Sequence, residues 1–223
     1  MEGMAGTMTI AATRLLETRL LSNRQRYQLL TTVVVPRPIG WISSYSGAGV
    51  RNLAPFSYFA ALSATPMYIG VSVGHRRTGP KDTLANVRTT RAFCVNVVTE
   101  RQLEVMNATS ADYPPEVDEF VVAGLTPADA DHVYAPYVAD CPAVLECMLL
   151  KEVELEGATN TLLIAEVMAV RLAPELQGDP RDCQIPPELL RPVGRLGSAD
   201  YALPGELRHL PRPSVTPSEI KSG

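Results

Sequence analysis

The sequence holds few of the residue types that side chains use for difficult chemistry. Among its 223 residues there are three histidines, three lysines, one tryptophan and four cysteines, and no two cysteines are spaced C-x-x-C. The histidines lie far apart, without the spacing of metal ligands, which argues against a structural zinc site or an iron–sulfur cluster. If the protein is an enzyme, a bound cofactor has to carry the hard chemistry.

Other absences restrict the class of protein further. No apolar run approaches the roughly 20 residues of a membrane-spanning helix, and the first 12 residues lack the basic and apolar regions of a signal peptide. The 20 lysines and arginines stand against 24 acidic residues, and the net charge of −4 argues against a nucleic-acid partner. We therefore expect a cytoplasmic protein that binds neither nucleic acid nor a membrane.

The hydrophobic pattern predicts a mainly β fold, a β-barrel with helical decorations. Strand-like patterns cover residues 39–45, 67–73, 92–98, 143–155 and 161–172. Helical spacing covers residues 13–31, 80–89 and 99–108. Within the first of these helical segments, Ser22 or Asn23 is a candidate N-cap that divides it into two short helices.

The chain is predicted to hold one main domain with two flanking segments. Residues 1–23 form an N-terminal lead and helix, residues 24–173 the barrel domain, and residues 174–223 a C-terminal extension. That extension contains nine of the 19 prolines, which disfavour regular structure. We predict that it wraps over the barrel or over a partner subunit.

The segment Pro36–Phe59, PRPIGWISSYSGAGVRNLAPFSYF, is the first that could carry chemistry. Two prolines flank Arg37, and Pro55 is predicted to interrupt a strand-like run near Ala54. An interrupted edge leaves backbone N–H groups free to face a ligand. The structural alternative is an edge strand with a bulge and an aromatic side chain in the core.

A second segment, HRRTGPKDTLAN, places cations at the mouth of a predicted helix. Arg76, Arg77 and Lys81 cluster there, and Lys81 is the one lysine of the first 150 residues. A helix N-terminus with such neighbours suits a phosphate. The alternative is a solvated basic loop with Asp82 as the helix cap, and the segment is not a Walker A loop.

Together the two segments resemble the flavin reductase-like family of FMN-binding split-barrel proteins. The resemblance rests on PRPIGWISS, NLAPFSYF and KDTLANV in this order and spacing. Three later stretches match as well: MNATSADYPPEVDEFVVAGLT, CPAVLECML and PVGRLGSADY. The resemblance covers residues 24–213 and departs from the family pattern at Ser198, which replaces the second glycine of an Arg-Leu-Gly-Gly element.

The resemblance implies a six-stranded antiparallel barrel that binds FMN in a shallow groove, with the FMN near a homodimer interface. The FMN-binding residues it implies are Arg37, Trp41, Ile42, Ser43, Asn52, Ala54, Pro55, Phe56, Ser57, Tyr58, Lys81, Asp82, Thr83, Asn86, Arg195 and Tyr201. The first strand would border the flavin, and residues 52–58 would line the ring and the ribityl chain. Lys81, Asp82 and Thr83 would hold the phosphate, with Asn86 behind them. Arg195 and Tyr201 would close over the site.

The implied reaction is hydride transfer from NADH or NADPH to flavin N5 and onward to a small-molecule acceptor. No side chain need act as catalytic acid or base, which agrees with the scarcity of histidine. Two other functions stay open: a single-component flavoprotein oxygenase or oxidase acting on a small organic substrate, and an electron carrier that binds FMN without catalysis. No dinucleotide fingerprint distinguishes NADH from NADPH.

Several remaining residues are interpreted as structural. Cys94 is predicted to be a small core residue, and Met106 is assigned to the core as well. The acidic stretch Asp112–Glu119 is predicted to be a solvated loop.

Overall fold

The computed structural model describes residues 13–77, 79–177 and 183–213, and the lead predicted for residues 1–12 lies outside them. The strands are β1 (Arg37–Pro38), β2 (Gly40–Tyr45), β3 (Arg51–Phe56), β4 (Phe59–Ala64), β5 (Met67–Arg76), β6 (Gly79–Pro80), β7 (Ala92–Val97), β8 (Pro127–Asp129), β9 (Pro136–Val138), β10 (Ala143–Glu154), β11 (Asn160–Leu172), β12 (Gly194–Arg195) and β13 (Tyr201–Ala202). The α-helices are α1 (Asn23–Val33), α2 (Asp82–Thr90), α3 (Leu103–Ala108), α4 (Glu119–Val122) and α5 (Pro187–Leu190). The mainly β class is confirmed.

The N-terminal helical segment is divided at the predicted N-cap. A 3₁₀ turn over Thr18–Leu20 precedes α1, and Ser22 caps α1. The Ser22 hydroxyl accepts a hydrogen bond from the Gln25 N–H at 3.3 Å, and the Gln25 side chain accepts one from the Ser22 N–H at 2.9 Å. This capping box satisfies two N–H groups that a helix start otherwise leaves without acceptors.

Six strands close the barrel when β3 and β4 are counted as halves of one bent strand. The antiparallel order is β3-β2-β7-β10-β11-β5-β4, with β6 attached to β5. β3 and β4 stand at opposite ends of this order, and only Ser57 and Tyr58 separate them in the chain. The chain therefore joins the two ends of the sheet and closes the barrel. The six-stranded antiparallel barrel implied by the resemblance is confirmed.

The interruption of this bent strand lies later than predicted. Pro55 stays in register opposite Trp41, and the break comes at Ser57 and Tyr58. A proline is tolerated at this point because β3 pairs with β2 alone, and an edge without a partner strand needs no N–H. The open edge of β3 borders the candidate site.

Successive side chains of each strand point to opposite faces of the sheet, and an apolar cluster lies on each face. The cluster inside the barrel includes Ile42, Val71, Leu84, Val87 and Phe93. The cluster on the outer face includes Trp41, Leu53, Cys94, Met106 and Phe120. The second cluster fixes α3 and α4 against β2 and β3, so these helices are held beside the open edge.

Three cysteines belong to the core, as predicted for Cys94. Cys94, Cys141 and Cys147 are buried, and burial raises the pKa of each thiol, that of Cys141 to about 12. They are therefore protonated, small apolar side chains at neutral pH. Cys183 is exposed.

The C-terminal segment over residues 192–202 packs against the start of the barrel of the same chain. The Val193 N–H donates to the Val98 carbonyl at 3.0 Å, and β12 pairs antiparallel with β1, placing Arg195 opposite Arg37. This pairing brings the β12–β13 hairpin to the open edge of β3. None of the helices in the described ranges is long and apolar enough to cross a membrane.

Candidate functional site

A groove follows the open edge of β3 and consists of three adjoining cavities. The first, of about 120 Å³, is lined by Tyr27, Pro55 and Tyr201, and we call it the hairpin end. The second, of about 30 Å³, shares Pro55 with the first and reaches Lys81 at the start of α2; we call it the helix end. The third, of about 550 Å³, shares Lys81 with the second, and we call it the outer cavity.

The helix end offers an anion both a cation and backbone donors. Lys81 occupies the N-cap position of α2, and its Nζ lies 5.7 Å from the centroid of the Phe56 ring without an ion pair among the described residues. Asp82, in the first turn of α2, pairs with Arg76 at 2.8 Å, so its negative charge is balanced. The first N–H groups of α2 lack acceptors within the helix and lie at its positive dipole end. This combination suits a phosphate.

A chain of buried hydrogen bonds supports the helix end from below. The Thr83 hydroxyl donates to Asn52 Oδ1 at 2.9 Å, and Asn52 Nδ2 donates to Glu119 Oε1 at 2.9 Å. The Leu53 N–H donates to Glu119 Oε2 at 3.0 Å. Because an ionised carboxylate only accepts hydrogen bonds, Glu119 fixes the orientation of the Asn52 amide. The Thr83 hydroxyl is thereby committed to Asn52 and positions the first turn of α2.

Burial raises the pKa of Glu119, although its hydrogen bonds with Leu53 and Asn52 favour the charged form. At pH values between the unfolded and the folded pKa, the folded protein binds a proton that the unfolded chain has released. The contribution of this group to stability is therefore complete below the unfolded pKa and is lost as the pH rises through the folded pKa.

Replacing Glu119 by glutamine, which cannot ionise, should flatten this pH dependence. We expect the free energy of unfolding of Glu119→Gln to change less than that of the wild type between about pH 4 and pH 8. Urea unfolding at several pH values measures it, with exposed Glu154→Gln on β10 as the matched control. If the free energy of unfolding of Glu119→Gln depended on pH as that of the wild type does, the ionisation of Glu119 would be excluded as the source of that dependence.

At the hairpin end, buried Arg37 joins three parts of the chain. Its Nη1 donates to the Thr31 carbonyl at 2.6 Å and to the Val34 carbonyl at 2.9 Å, at the end of α1. Its Nη2 donates to the Leu196 carbonyl at 2.9 Å, and its Nε donates to the Ser57 hydroxyl at 3.3 Å. Arg37 therefore lines the groove and also holds α1, the C-terminal hairpin and the β3–β4 break together.

The two predicted C-terminal residues stand together on the β12–β13 hairpin. Arg195 Nη1 donates to the Tyr201 hydroxyl, and its guanidinium carbon lies 4.5 Å from the centroid of the Tyr201 ring. The Tyr201 hydroxyl in turn donates to Asn107 Oδ1 at 2.8 Å, which anchors the hairpin on α3. Both residues line the hairpin end of the groove.

Three predicted residues of β2 need a correction. Trp41, Ile42 and Ser43 are fully buried and line none of the three cavities. Trp41 Nε1 donates to the Thr109 hydroxyl at 2.9 Å, and the Ser43 hydroxyl donates to the Pro136 carbonyl at 2.6 Å. The physical reason is that β2 pairs with β3 on one side and β7 on the other, so the open edge belongs to β3.

The backbone of β3 also offers fewer donors than expected. Ala54 and Pro55 line the helix end, but Pro55 has no N–H and the Leu53 N–H is already bound to Glu119. The expectation that a broken ladder presents a row of N–H groups is therefore wrong for this stretch. Donors along the groove come from side chains and from the start of α2.

Three further predicted residues lie behind the groove surface. Asn86 is buried, and its Nδ2 donates to the Ser44 hydroxyl at 3.2 Å. Phe56 lies beneath Lys81. Tyr58 is half-buried outside the lining, and burial, with nearby Tyr27, raises its pKa. These three residues shape the site from behind.

Several lining residues were not singled out by the sequence reasoning. Glu119, predicted to lie in a solvated loop, is 5% exposed. Ser110 and Ala111 line the helix end, and the core residue Met106 lines the hairpin end. Nothing in the spacing of these residues connects them with β3. The signal that could have found them is the resemblance of the MNATSADYPPEVDEF stretch to the family.

Comparison with known proteins supports the fold described above. The family model of the flavin reductase-like domain matches residues 32–187, more than half of the chain. The chain belongs to the flavin reductase-like family. The matched range contains β1–β11 and α1's last residues, hence both the open edge of β3 and the start of α2.

Solved structures of this flavin reductase-like type superpose closely on the chain. Nitrilotriacetate monooxygenase component B from Bacillus cereus has a TM-score of 0.86 at 31% identity, covering 90% of this chain and 100% of that one. The 2-nitrobenzoate 2-nitroreductase NbaA from Pseudomonas fluorescens has a TM-score of 0.83 at 29% identity, covering 93% and 100%. A protein with a split-barrel domain from Shewanella frigidimarina, at 24% identity with a TM-score of 0.76 over 87% of this chain and 96% of that one, shares the fold.

The turn of the β12–β13 hairpin contains the departure from the family pattern. Ser198, in place of a glycine, has a φ of +56°, in the left-handed region that favours glycine. The turn is closed by the Leu196 N–H, which donates to the Asp200 carbonyl at 3.0 Å. The serine side chain is therefore held in a backbone conformation that costs free energy.

Restoring glycine at this position is expected to stabilise the protein. For Ser198→Gly we expect the free energy of unfolding to rise by about 0.5–1 kcal/mol, because the left-handed conformation carries no Cβ penalty in glycine. Urea unfolding measures the change. The control is Ala199→Gly, at a neighbouring position without a positive φ, where the substitution should be neutral or destabilising. Equal effects of the two substitutions would contradict the strain argument.

Proposed function

We propose that this member of the flavin reductase-like family binds FMN in the groove and catalyses hydride transfer from NADH or NADPH, through the flavin, to a small-molecule acceptor. The observation that carries the proposal is the polarity of the groove. An anion-binding helix end adjoins a hairpin end in which five apolar or aromatic side chains share the lining with two arginines and two serines. This is the order of groups in a flavin mononucleotide, with a phosphate at one end and a ring system at the other.

The helix end fits the phosphate of FMN. Lys81 carries a positive charge without an ion pair in the described ranges, and the Asp82 carboxylate beside it is balanced by Arg76. The first N–H groups of α2 supply further donors. When bound, the flavin supplies the two-electron chemistry, and the chain supplies the position and the electrostatic field.

The hairpin end fits the ring system. Pro55 and Met106 provide apolar walls, and Tyr27 and Tyr201 add aromatic surface. Arg195 brings a second arginine beside Arg37 to the same end. Two guanidinium groups in a partly buried site favour negative charge on a bound ring, which is the charge that gaining a hydride creates.

Anaerobic mixing of the FMN-loaded protein with each nicotinamide tests the activity. We expect NADH, NADPH or both to bleach the visible absorbance of the bound flavin within seconds. Absence of bleaching with both donors, while FMN is bound, would contradict the reductase proposal. Rapid reduction by a protein donor in that case would favour the electron-carrier alternative.

The names of two solved relatives guide the choice of acceptor. One is a component of a monooxygenase and the other a nitroreductase. After anaerobic reduction, either air or 2-nitrobenzoate is added to the bleached protein. Reoxidation by the nitro compound without oxygen would assign a nitro acceptor, and reoxidation by air alone would point to oxygen or an oxygenase partner.

We also propose that the protein is a homodimer with the FMN near its interface. The long strands β10 and β11 present Met148, Leu150, Met168 and Val170 as exposed side chains, and clusters of exposed apolar residues mark protein interfaces. Sedimentation equilibrium is expected to give the mass of two chains. A monomer at micromolar concentration would contradict the dimer and leave the flavin proposal untouched.

A further inference from the structure

A further cavity lies outside the groove, at one end of the barrel, and we call it the mouth cavity. Its volume is about 400 Å³, within the range of roughly 300–1,000 Å³ of small-molecule sites. It is lined where β4 begins at Phe59, where β7 ends at Val97 and where β10 begins, just before Leu145. The mouth of a β-barrel is one of the places where ligand sites occur most often.

The C-terminal segment forms the outer wall of the mouth cavity. Val193 and Ala202 line it from the β12–β13 hairpin, and this hairpin is fixed to the barrel by the pairing of β12 with β1. The rim residues Pro38, Pro192 and Leu203 are exposed. The cavity is therefore held open by the fold and is accessible from solvent.

The lining of the mouth cavity is apolar with one exception. Among the described residues that line it, Arg37 has the one polar side chain. All three nitrogens of this guanidinium already donate within the protein, to three backbone carbonyls and to the Ser57 hydroxyl. The Val193 N–H is likewise bound, to the Val98 carbonyl. An ion entering the cavity would lose its hydration with little to replace it, so the lining favours a neutral, apolar ligand.

We propose that the mouth cavity binds a small, neutral, apolar organic molecule of about the size of a two-ring aromatic. An apolar cavity of about 150 Å³ holds benzene, and the mouth cavity has more than twice that volume. Arg37 and Ile39 line both the mouth cavity and the hairpin end. The bound molecule therefore lies beside the groove without occupying it, and its binding does not require the proposed flavin.

Equilibrium dialysis of the full chain against 2-naphthol and 2-naphthoate tests the proposal. The two probes share the ring system, and at neutral pH the first is neutral and the second is an anion. We expect 2-naphthol to be retained at one molecule per chain and 2-naphthoate to bind at least tenfold more weakly. Saturating FMN should change the affinity for 2-naphthol less than twofold.

Two variants locate the probe in the mouth cavity. Leu203→Asp replaces an apolar rim residue by a carboxylate and is expected to weaken 2-naphthol about tenfold. The matched control is Leu207→Asp, because both leucines are 49% exposed on the same segment and Leu207 lies outside the lining. Its effect should stay below twofold. Val97→Phe, which fills part of the cavity from β7, should weaken the probe by more than Leu203→Asp does.

Selective loss of 2-naphthol in Leu203→Asp and Val97→Phe supports the proposal. Equal effects of Leu203→Asp and Leu207→Asp, or equal affinities for the two probes, overturn it. Competition between FMN and 2-naphthol also overturns it, because the probe would then occupy the groove. So does absence of 2-naphthol binding in the wild type, as expected if a second copy of the chain fills the cavity. Failure to bind FMN, with these results for 2-naphthol, contradicts the proposed function alone.

Discussion

Replacing Lys81 with alanine is expected to weaken the binding of FMN by about tenfold to a hundredfold and to leave the binding of riboflavin unchanged. The two ligands share the ring and the ribityl chain and differ in the phosphate. Lys81 is the cation without an acidic partner in the described part of the helix end. A charge-assisted contact between an ammonium group and a phosphate is therefore the interaction that the substitution removes.

The double variant Lys81→Ala/Thr83→Ala separates a direct contact from a supporting role. The Thr83 hydroxyl donates to Asn52, so its loss should act by loosening the first turn of α2 rather than by removing a phosphate ligand. We expect Thr83→Ala alone to weaken FMN less than Lys81→Ala does. Fluorescence quenching measures both affinities, and Lys151→Ala serves as the control because Lys151 is an exposed cation on β10, outside the groove. Unchanged FMN affinity in the double variant would refute the phosphate assignment.

The strands and helix starts of the barrel could be predicted because the sequence signals that specify them are local. Strand-like runs and the Ser22 N-cap depend on neighbours within a few residues, and the structure has them close to the expected positions. The start of α2 belongs to the same class, since the helix begins at Asp82, directly after Lys81. The position of a helix start with an adjacent lysine could therefore be identified from the sequence.

Contacts between distant segments could not be predicted in this way. Glu119 bonds to Asn52 across 67 positions of the chain, and an acidic residue in an acidic stretch gives no sign of burial. The same limit explains Trp41, which the family resemblance placed beside the flavin. Whether β2 has an open edge depends on its pairing with both β3 and β7, and neither strand's sequence alone reveals that pairing.

Arg37 combines a local sequence signal with contacts between distant segments of the chain. Its flanking prolines mark the start of a strand in the sequence, but its hydrogen bond to Leu196 spans 159 positions. Arg37 is 7% exposed and has no acidic partner among the described residues. Its charge is instead held by three backbone carbonyls and one hydroxyl. A buried guanidinium with all these acceptors is a structural requirement of the groove as well as part of its lining.

Replacing Arg37 with methionine is therefore expected to lower the free energy of unfolding by about 3 kcal/mol or more, because carbonyls that now accept hydrogen bonds are left without donors. Arg37→Lys should recover part of this loss, since an ammonium group reaches fewer of the acceptors than the planar fork of a guanidinium. Urea unfolding measures both variants. Arg24→Met is the control, because Arg24 is an exposed arginine of α1.

Flavin binding distinguishes this role from that of a simple ligand contact. Without Arg37, the Leu196 carbonyl no longer ties the β12–β13 hairpin to α1. The hairpin keeps only its pairing with β1 and its hydrogen bond to α3, so Arg195 and Tyr201 are held less firmly. The affinity for riboflavin should then fall together with that for FMN, in contrast to Lys81→Ala, where FMN alone is affected. Arg37→Met with wild-type stability would show that the carbonyls find other donors, and the structural role would have to be abandoned.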